Sequence, residues 1–169
     1  AGITIEEDFF DFPLEKLDLL WATNQRSIFL MSQTVGRHMR DAGQGSIVNV
    51  SSNHSHASVP GYEMYAATKG GISAMGRAMS WSLGAHGIRV NTLSPGLTMT
   101  ESVADVMETT PGLENAFRDL HALNEVASVE EVANVAAFLA SDLSSAITGA
   151  DIIADKGTHA QLCRTDDLK

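Results

Sequence analysis

Apolar residues recur at helical spacing from about Leu14 to Arg40, at Leu17, Leu20, Trp21, Ile28, Met31 and Val35, which predicts one long helix. Pro13 suits its start, and Gly43 and Gly45 close the region. The period then changes. Ser46-Ile47-Val48-Asn49-Val50-Ser51 is short, β-branched and bounded by turn residues, which predicts a strand. After a loop holding Pro60 and Gly61, residues from Met64 to about Gly84 predict a second long helix. Its many small residues, among them Gly70, Gly71 and Gly76, permit close packing.

Ile88 to Leu93 predicts a second strand, stopped by Pro95-Gly96. Residues 97–111 carry no periodic pattern and are expected to form a mobile loop, and Leu113 to Leu123 predicts a short helix. Ser128 and Glu131 have the spacing of a capping box, in which hydroxyl and carboxylate satisfy amides of a first helical turn. The helix they open should end near Ala140. Gly149 precedes a last strand, Ala150 to Ala154, and residues 158–169 read as a polar tail. Strand, helix, strand, helix, strand implies right-handed crossovers and an α/β domain with a parallel sheet covered by helices. Three parallel strands alone leave an edge of unpaired amides, so this sheet looks incomplete.

The bulk properties narrow the picture in a few respects. A chain of 169 residues suffices for one domain with a core. Its formal charge of -10, with basic residues scattered singly, disfavours a nucleic-acid partner. A single cysteine, Cys163, excludes an intrachain disulfide and fits a reducing compartment. No apolar run approaches the length of a membrane span, and the first residues lack a basic-then-apolar layout, so no membrane association is expected and the cytoplasm is the expected location. The histidines show no third ligand at metal spacing, and no metal site is expected. His54 and His56 are candidates for a pocket or a solvated loop, whereas His38, His86, His121 and His159 are expected on helix surfaces or loops.

Tyr65-Ala66-Ala67-Thr68-Lys69 carries the chemistry. Residues four apart on a helix share a face. A free tyrosine ionises near pH 10, and making a phenolate useful near neutrality takes about 4 kcal/mol. One ammonium at close range supplies a contribution of that order. Tyr-x-x-x-Lys alone also arises by chance in many helices.

The residues around it raise its weight. Gly45 to Ser52, with Ser52 thirteen residues before Tyr65, the run Arg89-Val90-Asn91-Thr92-Leu93-Ser94-Pro95-Gly96 with Thr100, and Phe138 to Asp142 with Ile147-Thr148-Gly149 follow one another along nearly the whole chain. Together they resemble the short-chain dehydrogenase/reductase family. The resemblance implies a partial Rossmann-type, doubly wound parallel sheet with three strands in this chain, flanked by long helices, over residues 1–157. It implies an oxidoreductase that interconverts a small-molecule alcohol and ketone with NAD or NADP. Tyr65 would be the general acid/base, and Lys69 would favour its ionised form and bind the nicotinamide ribose. Ser52 would orient the substrate oxygen, and Asn24 would hold a water linked to Lys69. Pro95, Gly96, Thr98 and Thr100 would lie against the nicotinamide end. Residues 97–123 would form a substrate lid, and the helices at 14–40 and 64–84 would pair subunits into a homodimer or homotetramer.

The chain also departs from the family. Ala1-Gly2-Ile3 resembles a family motif entered midway, and no glycine-rich turn follows a strand. The residue that chooses between NAD and NADP is absent with it. Gly43-Gln44-Gly45 precedes a strand instead, and Asp155-Lys156-Gly157 stands where the family closes with Asp-Gly-Gly. Three expectations remain open: a fragment of a dehydrogenase, one subunit of a split enzyme, or a non-catalytic relic that associates through its helices.

Overall fold

A computed structural model describes residues 2–162. Cys163 and most of the expected polar tail lie outside them. The first long helix runs as α1 (Leu14–Leu20), a π-helical turn (Trp21–Arg26) and α2 (Ser27–Ala42). The wider turn sets Asn24 inward, where it is buried. Such turns are rare and frequent at functional sites. At the far end the helix stops on Gly43, whose φ of 70° closes it in the left-handed region.

Strand β1 (Gly45–Val50) follows, then α3 (Glu63–Gly84) and β2 (Ile88–Pro95). The remaining elements are β3 (Thr98–Met99), α4 (Glu101–Thr109), α5 (Leu113–Asp119), β4 (Ala127–Ser128), α6 (Val129–Ala140) and β5 (Asp151–Ala154). The main sheet has the order β1-β2-β5 with both pairings parallel, as the alternation of strands and helices implies. Ile47, Ile88 and Val90 form its buried core, covered by Val35 and Met39 of α2 and by Met79 and Leu83 of α3.

Glycine sets how closely α3 lies on its neighbours. A Cβ on Gly76 would fall 2.6 Å from Thr92 Oγ1 of β2, and one on Gly71 would fall 2.8 Å from Gln25 Oε1 of the π-helical turn. Larger residues would lift α3 away from both. The Ser128–Glu131 capping box forms with both of its hydrogen bonds, 2.8 and 3.1 Å, and opens α6.

Two expectations need correcting. Residues 97–111 are not a loop: they hold β3, which pairs in parallel with β4, and the nine-residue helix α4. Thr100 caps that helix by accepting from the Val103 amide at 3.3 Å. Two turns with only Val103 and Met107 half-buried are too short for a period to stand out in sequence. The helix expected at 113–123 ends at Asp119, after which the chain turns so that His121 is buried.

Candidate active site

The C-terminal ends of parallel strands are where an open α/β sheet leaves room for a ligand. Here that end is furnished by three elements. β1 runs directly into Ser51 and Ser52, both buried. Ser51 Oγ donates to the Lys69 carbonyl at 2.8 Å, which fastens the strand end to the first half of α3. Ser52 is extended, and its Oγ accepts from the His54 amide at 3.2 Å.

α3 brings the other two members. Tyr65 is the third residue of the helix and Lys69 lies one turn later. Lys69 is buried, and its Nζ donates to the Val50 carbonyl at 3.3 Å, at the very end of β1. The same Nζ lies 5.6 Å from the centroid of the Tyr65 ring. Burial pushes the Lys69 amine below its ordinary pKa, because an ammonium loses hydration there.

Asn24 stands behind this pair. Its side-chain amide exchanges two hydrogen bonds of 2.8 Å with the main chain of Ile3, and its Nδ2 also donates to Thr68 Oγ1 at 3.3 Å. A Cβ on Gly2 would lie 3.5 Å from Asn24 Oδ1 and 3.8 Å from Lys69 Nζ. The segment at residues 2–3 is thereby held against Asn24 and Lys69.

In front of the pair is a cavity of about 640 Å³. Ser52 and Tyr65 line it together with Gly96, Thr98 and Thr100. Lys69, Asn24 and Pro95 do not line it. Thr98 Oγ1 donates to the Gly96 carbonyl at 3.1 Å, and Gly96 packs so tightly that a Cβ would fall 2.4 Å from Asp155 Cβ. Five of the eight expected site residues therefore share one cavity, two support it from behind, and Pro95 lies at the end of β2 beside it.

Two further residues line the cavity, Tyr62, which was not expected as a site residue, and His54, which was left open. Tyr62, just before α3, lines the cavity and donates to Glu6 Oε2 at 2.9 Å, and this bond, with a smaller contribution from burial, raises its hydroxyl above its ordinary pKa. His54 lines it too, with its ring 5.1 Å from Tyr62 and 5.4 Å from Tyr65. Burial lowers the His54 pKa. His56 instead reaches Asp151 Oδ2 at 3.0 Å.

His121 and His159 lie in turns, within the expectation of helix surfaces or loops, but both face inward. His121 is 6% exposed and lines the cavity, and His159 lines it from the turn after β5. His159 Nδ1 lies 3.0 Å from the Asp155 carboxylate. Burial alone would raise the Asp155 carboxyl, yet hydrogen bonds from His159, Gly157 and Asn53 outweigh it and hold the group below its usual range. No sequence signal near His121 marks it as buried. His159 could have been suspected from its spacing of four from Asp155.

The donor set suits one end of a dinucleotide. Lys69 Nζ gives one hydrogen bond to Val50 and has further protons for a neighbouring diol. Among the described residues no helix is long and apolar enough to cross a membrane.

Known proteins resemble this chain in sequence and fold. A family model described as enoyl-(acyl carrier protein) reductase matches residues 1–159. Carbonyl reductase (NADPH) 2 of Sus scrofa is 37% identical over 158 residues, covering 93% of this chain and 64% of that protein. D-threitol dehydrogenase of Mycolicibacterium smegmatis is 34% identical over 157 residues, covering 93% of this chain and 60% of that protein. The crystal structure of a gluconate 5-dehydrogenase from Burkholderia cenocepacia in complex with NADP and tartrate superposes with a TM-score of 0.89 at 27% identity, covering 96% of this chain and 63% of that one. The chain thus spans under two thirds of the length of each of these proteins.

Proposed function

Because the chain belongs to the short-chain dehydrogenase/reductase family, we propose that it carries the catalytic residues of an NAD(P)-dependent oxidoreductase that interconverts a carbonyl and an alcohol. One observation supports this reading above the rest: Ser52 and Tyr65 line one cavity while Lys69 stands behind the tyrosine ring.

Tyr65 is the acid/base. In carbonyl reduction its hydroxyl gives a proton to the substrate oxygen, and in alcohol oxidation it takes that proton back. Lys69, fixed at the strand end by Val50, stabilises the negative charge left on the phenol oxygen. Ser52 donates to the substrate oxygen and fixes its direction. The nicotinamide cofactor, when bound, supplies or accepts the hydride. Lys69 would also hold the nicotinamide ribose, with Pro95, Gly96, Thr98 and Thr100 against the nicotinamide end. Asn24 keeps the backbone at residues 2–3 in register behind the lysine.

The 169 residues contain no glycine-rich turn between a strand and a helix. The pyrophosphate and the choice between NAD and NADP are therefore assigned to groups other than these. Residues 97–123 act as a substrate lid in this reading, because α4 and α5 contribute no buried residue of their own. The helices at 14–40 and 64–84 form the subunit contact, since Phe29, Met31 and Trp81 expose large apolar faces there.

The test is turnover of the purified protein that carries this chain, with NADPH and NADH over a panel of ketones. Nicotinamide oxidation that disappears in Tyr65→Phe is the expected result. Turnover unaffected by that change would overturn the assignment of Tyr65, and no turnover over the whole panel would favour a non-catalytic relic.

A further inference from the structure

His121 follows α5 and is 6% exposed. Its Nδ1 lies 2.6 Å from the Phe117 carbonyl. A carbonyl oxygen only accepts, so Nδ1 carries the proton and donates it. In the neutral ring Nε2 is then an acceptor with an open lone pair. This Nε2 is buried and finds no hydrogen-bond partner among the described residues. Leaving such an acceptor unsatisfied forfeits its hydration with nothing in return, and folded proteins seldom tolerate it without a use.

Its position supplies the use. His121 lines the same cavity as Ser52 and Tyr65, and so does His159. Asp155 takes the Nδ1 proton of His159 at 3.0 Å, which leaves that ring's Nε2 for other partners. Two imidazoles, each tied at Nδ1, therefore line this cavity.

We propose that His121 determines substrate specificity: when movement of the 97–123 segment uncovers its Nε2, that atom accepts a hydrogen bond from a second hydroxyl of the substrate, so the site selects diols and polyols over simple alcohols. The inference rests on the reading of this cavity as an alcohol–carbonyl oxidoreductase site. A site built to pair with a hydroxyl discriminates strongly against an analogue that lacks it, because the buried partner is then left bare.

Cyclohexanol and trans-1,2-cyclohexanediol differ by that hydroxyl alone. Oxidation of each by the purified protein with NAD or NADP should show kcat/KM higher for the diol by roughly tenfold, the equivalent of about 1.4 kcal/mol. His121→Leu should bring the ratio close to unity, while His121→Gln, which keeps an acceptor at the end of its side chain, should restore part of it. A second readout needs no turnover. The ¹⁵N resonance of His121 Nε2 in the unmutated protein should move upfield on titration with the diol and stay in place with cyclohexanol.

Equal kcat/KM for the two alcohols, or a resonance that the diol leaves unmoved, overturns the inference and leaves the oxidoreductase reading intact. The unmoved resonance would identify a trapped water as the partner of Nε2. Absence of turnover with both alcohols and every ketone of the panel would instead remove the oxidoreductase reading. In that case the resonance decides alone, and a shift with the diol still supports hydroxyl binding at His121.

Discussion

Ser52, Tyr65 and Lys69 stand on the ends of β1 and α3, whereas Thr100, Val103 and Phe117 stand on or beside α4 and α5, although residues from both groups line one cavity. The first region is anchored. α3 buries Thr68, Lys69, Ile72, Ser73, Gly76 and Ser80, and the Ser51 and Lys69 hydrogen bonds weld it to the strand end. The second has no buried residue within either helix and touches the rest through the two-residue pairing of β3 with β4. Proton transfer demands reacting atoms held to fractions of an ångström, which is why the proposed acid/base role falls on the anchored side. Admitting a substrate demands movement, and movement is found where few apolar contacts must be broken.

The largest expected effect separates chemistry from framework. Tyr65→Phe removes only the phenol oxygen of a cavity-lining ring. Turnover should fall by roughly 10²–10⁴-fold, the range that general acid/base groups contribute. Stability should stay within about 0.5 kcal/mol. Steady-state kinetics and urea unfolding on the same preparation check both halves. A matching loss of stability would mean that the tyrosine belongs to the framework, and the contrast between walls would weaken.

A pair of glycines on α3 sharpens the contrast next. Gly76→Ala places a Cβ 2.6 Å from the buried Thr92 Oγ1, whereas a Cβ on Gly70 meets nothing within 4 Å. Overpacking costs about 1–3 kcal/mol, against a gain of up to about 1 kcal/mol in helix propensity. Gly76→Ala should therefore destabilise by about 1–2 kcal/mol, and Gly70→Ala should stabilise by about 0.5–1 kcal/mol. Urea midpoints measure each. Equal shifts would mean that α3 is not seated as tightly as its contacts imply.

Much of the anchored region was legible from residues, and the reason is physical. β-Branched runs between turn residues at 46–51 and 88–93 have one economical fate, a buried parallel strand, and both formed within two residues of the expected ends. The capping box at Ser128 and Glu131 is a local device that works wherever a helix follows. The second region was illegible for the opposite reasons. α4 is two turns long with almost nothing buried, so no period accumulates. β3 and β4 have two residues each, and their pairing spans about thirty residues of sequence. His121 is buried by the turn after α5 rather than by any pattern around it, and the inward turn of Asn24 depends on a π-helical turn that ordinary helical spacing does not announce.

Asp155 braces the anchored end of the cavity, since its Cβ packs against Gly96 just after β2 and its carboxylate holds His159, which lines the cavity. Its folded pKa lies below the ordinary carboxylate value, burial being outweighed by its hydrogen bonds. A depressed carboxylate contributes stability that is fully present above the unfolded pKa of about 3.9 and is lost as pH falls through the folded value. Unfolding free energy should therefore decline below about pH 4, and Asp155→Asn should be less stable than the parent at neutral pH with a flatter acid limb. Parallel acid limbs for the two proteins would show that Asp155 carries no such pH-linked stability.

The smallest effect bears on the α4 side alone. Thr100 caps α4, accepting from the Val103 amide at 3.3 Å, and losing a cap costs about 1 kcal/mol of local helix stability. Because α4 buries no residue of its own, that loss should stay within it. Thr100→Ala should speed amide hydrogen exchange through 101–109 about fivefold, which is 1 kcal/mol in a local opening equilibrium, while β1, α3 and β2 exchange as before. If protection in α3 fell by the same factor, α4 would open only when the whole domain opens. The two walls would then be one cooperative unit, and a lid on this side of the cavity would have no independent motion to use.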